Sequence, residues 1–323
     1  MESITKNRQT PETLRAMIAR AYGDTQVPSG DGWFSELGEG WFNVAYRIRL
    51  RDGSQKVLKI APPSDVEVMT YERGAMSIEL AAIKLIQERS SVPVPAVDYA
   101  DQSHDLCDAD WFFMEYIDAI NFGVDRDSMS AEERETYGKA LGAANRELNE
   151  IRGAAFGPLA GPGDPSWRAV FTGILEDVLG DGERRQVDLG IGYDTVRASI
   201  AANAHHLDEV TEPRFVGWDL WDKNVMVRDG AIAAILDHER ALYGDHLMEA
   251  GFVGHVLPDF GNPTTFMQGY GQTDLTPGQL QRRRLYALHL VLIMVIEGTY
   301  RGFTDPDHLA WTRTQLTEIL AQL

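Results

Sequence analysis

Asp219, Asn224 and Asp237 stand in one stretch, Phe215 to Asp245, which reads FVGWDLWDKNVMVRDGAIAAILDHERALYGD. The first two make a D-x-x-x-x-N spacing. A hairpin separates them from the third: Val225-Met226-Val227, a turn at Asp229-Gly230, then Ile232 to Leu236. An Asp-Gly turn between two β-prone runs is the strongest short-range hairpin signal a sequence carries. The hairpin returns the chain on itself, so Asn224 and Asp237 should finish close together, beside the Asp219 carboxylate. Two oxygen ligands next to a third carboxylate suit a hard cation that keeps part of its water shell and bridges phosphates. That is the layout of a phosphoryl-transfer loop. D-x-x-x-x-N alone is a weak signal. The acid at the far end of the hairpin is the rarer feature, and it carries the reading.

Phosphate chemistry needs a cation from the protein as well. Lys59 lies in Val57-Leu58-Lys59-Ile60, the third of three short β-prone runs (Trp33–Gly38, Phe42–Leu50 and Gln55–Ala61). Between the first two runs comes Gly38-Glu39-Gly40-Trp41-Phe42-Asn43. Glycines let a backbone approach phosphates closely, and Asn43 tolerates a left-handed conformation where a third glycine would serve. A lysine about two strand lengths beyond such a tip fits a phosphate contact better than an outward-facing surface role. It requires a carboxylate to hold it. Met76, Leu80, Ile83 and Ile86 form an apolar stripe at helical spacing, and Glu79 in that helix is the best candidate, with Glu72 and Glu88 as alternatives that are expected to be solvated. Strands near Ala96–Ala100 and Asp110–Tyr116 follow. There the backbone of Glu115 and Ile117 would meet a nucleotide base, with Met114 packed behind it.

The elements that must position these residues divide in two. A first helix is capped by Thr10 before Pro11 and Glu12 and should run to about Tyr22. After Asn121 the pattern turns helical. Ser130-Ala131-Glu132-Glu133 is a capping box opening a helix to about Arg152. Further helices are predicted over Trp167–Leu179, Tyr193–Leu207, Pro277–Gly298 and Asp307–Leu323, with 156–165 a loop and 258–278 irregular. The sequence therefore predicts residues 1–116 as a nucleotide-binding domain and 117–323 as a helical catalytic and substrate-binding domain.

Composition narrows the chemistry. With 44% hydrophobic and 24% charged residues, the 323-residue chain reads as soluble and globular. A net charge of −19 argues against nucleic acid, since phosphate neutralisation needs a basic face. It permits a cationic partner, although an acidic surface also serves solubility alone. One cysteine, Cys107, excludes a disulfide framework and fits a reduced, cytoplasmic setting. The N-terminus has no apolar core of a signal peptide, and the longest apolar run, Leu285 to Ile296, is too short to span a bilayer.

Taken together, the glycine hairpin, VLKIAPP, MSIELAAIKLI, SVPVPAV, FFMEYIDA, DLWDKNVMV and ILDHERALYGD resemble the aminoglycoside phosphotransferase and choline kinase group, small-molecule kinases that share the protein-kinase fold. The resemblance extends from about Leu37 to Glu249. It implies an α+β, bilobal fold: an antiparallel N-terminal sheet with one main helix, and a larger, mostly helical C-terminal lobe bearing the catalytic hairpin. It implies ATP and magnesium as cofactors. Lys59, with Gly38, Gly40 and Asn43, would contact ATP phosphates, and Glu79 would hold Lys59. Asp219 would face the acceptor hydroxyl, Asn224 and Asp237 would ligate magnesium, and Met114, Glu115 and Ile117 would border adenine. Asp245 would tie down the catalytic segment structurally.

Two positions depart from the family pattern. A glycine often stands where this chain has Ala119, with little expected consequence. The family usually carries His-Gly-Asp or His-Trp-Asp at the catalytic loop, and here the loop reads Gly217-Trp218-Asp219. The missing histidine should loosen the loop or shift its support to Trp218. The expected partner is a small hydroxylated acceptor, with an aminoglycoside or related amino sugar first and an amino alcohol, sugar or homoserine as alternatives. Asp118, Asp125, Asp127 and Asp164 are candidate contacts for its ammonium groups. No nucleic-acid or membrane partner is expected, and the chain should be a monomer or homodimer. A catalytically weak pseudokinase is the second class. A protein kinase is disfavoured, because Trp221 stands where a lysine is expected and no Ala-Pro-Glu segment follows Asp237.

Overall fold

The structure, a computed structural model, describes residues 3–38, 40 and 42–323. Two compact units divide the chain. The first joins Met1–Val68, Pro95–Asp118 and Arg301–Phe303; the second joins Met69–Val94, Ala119–Tyr300 and Thr304–Leu323.

In the first unit, α1 (Pro11–Tyr22) starts where Thr10 Oγ1 accepts from the Thr13 N–H at 3.2 Å. The strands β1 (Phe34–Leu37), β2 (Val44–Arg49), β3 (Gln55–Ile60), β4 (Val97–Asp101) and β5 (Trp111–Glu115) form one antiparallel sheet in the order β1-β2-β3-β5-β4. In β2 the side chains of Val44, Tyr46 and Ile48 are buried while Arg47 and Arg49 are exposed, the period-2 alternation of a strand with one covered face. Leu14, Met17 and Ile18 of α1 join those three, Leu58, Ile60, Trp111 and Phe113 in a single apolar core.

The second unit contains α2 (Ala75–Arg89), α3 (Ala131–Leu148), α4 (Trp167–Arg184), α5 (Tyr193–Asn203), α6 (Thr264–Tyr270), α7 (Pro277–Arg301, its last residue in the first unit) and α8 (Pro306–Leu320). Two small sheets join them. One orders β6 (Ile120–Asn121), β9 (Val225–Arg228) and β10 (Ala231–Ile235) as β10-β9-β6; the other orders β7 (Gly157–Pro158), β8 (Arg214–Val216) and β11 (Leu242–Gly244) as β7-β11-β8. The hairpin expected from Asp229-Gly230 is β9–β10, with Val225 opposite Ile235.

Two stretches depart from a single cut at the connector: Arg301–Phe303 belongs to the first unit, and the larger one to the second. Met69–Val94, with α2, belongs to the second unit, because Met69, Ala82, Ile86 and Val92 are buried in that unit's core. Helix lengths also shift: α3 stops at Leu148, α4 continues to Arg184, and α5 gives way at Asn203 to a 3₁₀ turn. The stretch 258–278, expected to be irregular, contains α6. This short helix lies so close to α3 that a side chain at Gly138, Gly142 or Gly269 would collide with the facing helix. Helix–helix contact stabilises it more than its own propensity does.

Candidate active site

In the second unit, β8 delivers the chain to a loop whose backbone is fixed at almost every step. The Gly217 N–H donates to Glu249 Oε1 at 2.9 Å, and the Ala250 N–H donates to the Trp218 carbonyl at 3.1 Å. The Asp219 N–H then reaches the Gly217 carbonyl at 2.7 Å, and the Trp221 N–H reaches the Asp219 carbonyl at 2.9 Å. Asn224 closes the turn by donating from Nδ2 to the Asp219 carbonyl at 2.8 Å. The Leu236 N–H donates to the Asn224 carbonyl at 2.8 Å, which places Asp237 at the mouth of the hairpin beside Asn224. Asp219, Asn224 and Asp237 are therefore brought together through the hairpin anticipated from the sequence.

Two of these positions hold unusual backbone. Trp218 has φ 57° and Asp237 has φ 63°, the left-handed region that costs an L-residue free energy, more for a bulky side chain than for Asp. Such conformations persist where surrounding contacts over-determine them, and they cluster at functional sites.

The carboxylates extend beyond the expected set. Glu79 of α2, 1% exposed, offers an oxygen within 4.8 Å of oxygens from Asp237 and Glu239. An all-oxygen donor set of this kind, with Asn224 alongside, fits a hard divalent cation such as magnesium. Glu239 was not anticipated; its position two residues after Asp237 was the available signal. Arg240 was also missed. Its Nη1 lies 3.8 Å from Asp219 Oδ2, and its guanidinium sits over the rings of Tyr71 (5.0 Å) and Trp218 (4.9 Å).

Burial raises the Asp219 carboxyl above its ordinary range; Arg240 and a hydrogen bond from Trp221 oppose that shift, while Asp237 and Glu297 add to it. Burial pushes Glu249 up to about 7 against hydrogen bonds from Gly217 and Asn149 that pull it down. Asp245 goes the other way. It is buried, yet its partners His246, Arg282 and Tyr286 outweigh that burial and hold the carboxyl well below the usual range. Arg282 Nε and the Tyr286 hydroxyl each donate to Asp245 Oδ2 at 2.8 Å, the structural tie expected of it.

One expectation is corrected. Glu72, expected to be solvated, is 5% exposed and accepts from the Met69 N–H at 2.9 Å, closing a turn ahead of α2; Glu88 is exposed. Among the candidate acceptor-binding acids, Asp125 takes the Asn121 N–H and Asp164 takes the Ser166 N–H, so both shape turns. Asp127 is exposed, and Asp118 belongs to the first unit.

In the first unit, Lys59 is 8% exposed and sits in register between Ala45 and Phe112, which rules out the outward-facing surface role. Of the glycine hairpin, Gly38, Gly40, Phe42 and Asn43 are described, while Glu39 and Trp41 lie outside the described residues. Asn43 does not take the left-handed conformation expected of it. It leads directly into the extended β2, and pairing of Val44 with Ile60 leaves no room for a reversal there. An N-terminal segment unseen in the sequence pattern braces this tip: Thr5 Oγ1 donates to the Phe42 carbonyl at 2.8 Å, and Lys6 Nζ donates to the Asn43 carbonyl at 2.7 Å. Met114 is half-buried at the end of β5, and the N–H of Glu115 is already committed to the Ala96 carbonyl at 2.9 Å. Ile117 follows, half-buried.

A family model described as the phosphotransferase enzyme family matches residues 33–286, well over half of the chain. The chain belongs to that family. As a phosphotransferase it carries the α+β, protein-kinase-like fold expected of it, and solved structures agree. A Ralstonia eutropha protein named as a candidate aminoglycoside phosphotransferase superposes with TM-score 0.66 at 13% identity, over 97% of this chain and 98% of that one. A thermostable mutant of aminoglycoside phosphotransferase APH(4)-Ia, in ternary complex with AMP-PNP and hygromycin B, gives 0.67 at 15%, over 96% and 98%. The GDP complex of aminoglycoside 2'-phosphotransferase-IIIa gives 0.65 at 17%, over 97% and 99%. No curated protein sequence matches the chain. Among the described residues, no helix is long and apolar enough to cross a membrane.

Proposed function

We propose that this phosphotransferase moves the γ-phosphate of ATP, with magnesium, onto a hydroxyl of a small cationic acceptor of the amino-sugar type. The observation that carries the reading is the closure of Asp219, Asn224 and Asp237 around one hairpin, with Asn224 Nδ2 fixed on the Asp219 carbonyl at 2.8 Å.

Asn224 and Asp237 are the residues to hold magnesium, with Glu79 and Glu239 close by; bound there, the ion would neutralise charge on the phosphates. Lys59 is assigned to the phosphates, with Gly38 and Gly40 allowing the backbone to approach them. The Glu115 carbonyl and the Ile117 N–H are assigned to the base, with Met114 behind it. Asp219 orients the acceptor hydroxyl and takes its proton as the oxygen bonds to phosphorus and the bond to ADP breaks. Because the transition state of phosphoryl transfer is loose, that proton moves late, and positioning matters more than basicity.

Two features support an amino-sugar acceptor. Beyond Asp219, the half-buried rings of Trp221, Phe260 and Trp311 follow one another at 6.1 and 5.2 Å, and sugar faces pack well on aromatic surfaces. Asp259, a carboxylate beside them, accepts from Gln315 at 2.9 Å, and the whole chain carries a net charge of −19. Charge of that sign attracts ammonium groups. A thermal-shift screen tests the proposal, with magnesium-ATP or magnesium-GTP against aminoglycosides, amino alcohols and neutral sugars. A ligand at a hundredfold its dissociation constant stabilises by about 2.7 kcal/mol. Amino sugars should shift the melting temperature in the presence of nucleotide. A response to neutral sugars alone would remove the cationic acceptor.

A further inference from the structure

Arg240 is a cation packed near the carboxylate assigned to the acceptor hydroxyl, and its partners are not those of a surface arginine. Its side chain is 15% exposed. The guanidinium lies over the Tyr71 ring at 5.0 Å and over the Trp218 ring at 4.9 Å, and those rings meet edge-on at 5.9 Å with an 86° interplanar angle. Arg240 Nη2 donates to the Tyr71 hydroxyl at 3.1 Å. On its other side, the Trp218 ring rests against His289 at 4.9 Å, and burial holds that imidazole down to about 3, so it is a neutral wall. Trp218 is the residue in left-handed backbone immediately before Asp219.

Resting on the phosphotransfer reading above, we propose that Arg240 is a positioning residue: caged by Tyr71 and Trp218, it aims the Asp219 carboxylate and stands in for the catalytic-loop side chain that Gly217 lacks. Three observations converge on this. Glycine at 217 supplies no side chain at that position, so its support has to come from other residues packed against the loop. The cage grips Trp218, whose backbone strain needs external contacts to persist. Arg240 Nη1 stops 3.8 Å from Asp219 Oδ2, beyond hydrogen-bond distance, so it biases the carboxylate by charge without occupying the oxygen that the acceptor hydroxyl needs. The arrangement also carries a cost. Among the described residues, Arg240 Nε is buried without a hydrogen-bond partner, an expense that folding stability alone would not select.

The test uses Arg240→Met, which keeps the apolar packing on both rings and removes the charge, Arg240→Lys, which keeps the charge without the planar fork, and Tyr71→Phe, which removes the hydroxyl that accepts from Arg240 and donates to Glu72 Oε1 at 3.2 Å. Magnesium-ATP hydrolysis is the activity probe, so the acceptor need not be known. Arg240→Met should lower kcat roughly 30- to 100-fold, the scale of a misaligned reacting group, with the KM for ATP changed less than about threefold. Arg240→Lys and Tyr71→Phe should fall between Arg240→Met and wild type, and added guanidinium should partly restore Arg240→Met. Hydrogen exchange gives a readout independent of turnover. Amides of 217–224 should lose protection in Arg240→Met while the hairpin 225–235 keeps it. Should Arg240→Met unfold, Tyr71→Phe carries the same comparison. Unchanged protection over 217–224, or kcat and KM both within twofold of wild type, would overturn the proposal. A loosened loop in a protein that transfers no phosphate would uphold the positioning role and sink the phosphotransfer reading instead.

Discussion

Placing a histidine at Gly217, the residue that related kinases usually carry there, should damage this enzyme. A Cβ at 217 would lie 3.0 Å from Leu220 Cγ and 3.2 and 3.3 Å from its two methyl carbons. Leu220 is 0% exposed, so it has no route into solvent and must push on its neighbours. Overpacking of this kind costs about 1–3 kcal/mol. At about 2–4 °C per kcal/mol for a large domain, that is a fall in melting temperature of roughly 2–12 °C. Leu220 lies between Asp219 and Trp221, so its displacement reaches the carboxylate and should lower turnover, by less than the roughly hundredfold that a misplacement of ~1 Å costs. Differential scanning fluorimetry and phosphate release on Gly217→His and Gly217→Ala give the measurement. Alanine already adds the offending carbon and should account for most of the stability loss. A histidine variant that melts with wild type and turns over faster would show that the glycine is a lost function rather than an accommodated one.

Two further outcomes follow from the same loop. The raised value of Glu249 means that the folded protein keeps a proton the unfolded chain releases near 4.5, so stability is lost as pH climbs from there through about 7. The full effect is on the order of 3 kcal/mol, so Glu249→Gln should flatten the decline in melting temperature between pH 5 and 8, and a parallel decline in the variant would refute the assignment. Asp237→Ala should abolish the magnesium dependence of ATP affinity measured by calorimetry, weakening binding about tenfold or more with the metal and little without it. Equal affinities in the presence of magnesium would remove Asp237 from the metal site.

The hairpin was legible because its cause is local. Asp229-Gly230 sets the reversal, and the reversal sets Asn224 beside Asp237 whatever the rest of the chain does. The burial of Lys59 within its strand was legible for a similarly local reason, its aliphatic neighbours Val57, Leu58 and Ile60. What the sequence hid is tertiary. Arg240 reads as one charge in a polar tetrapeptide until Tyr71, far away in the chain, supplies a ring and a hydroxyl. Glu72 reads as solvated until its carboxylate is seen closing a turn. Helix α6 exists because glycines on α3 and α6 let two backbones touch, and a glycine by itself signals the opposite of a helix. For Arg240 and α6 the missing information was which distant residue arrives, a quantity no periodicity encodes, whereas for Glu72 it was a local turn back to Met69.

The central claim is that Asp219 acts on the acceptor while other residues bind the nucleotide. Its most direct test is Asp219→Ala, with turnover and the ATP dissociation constant measured on the same preparation. The account expects kcat to fall at least about a hundredfold with ATP affinity within about twofold of wild type. Turnover near the wild-type rate in that variant would contradict it.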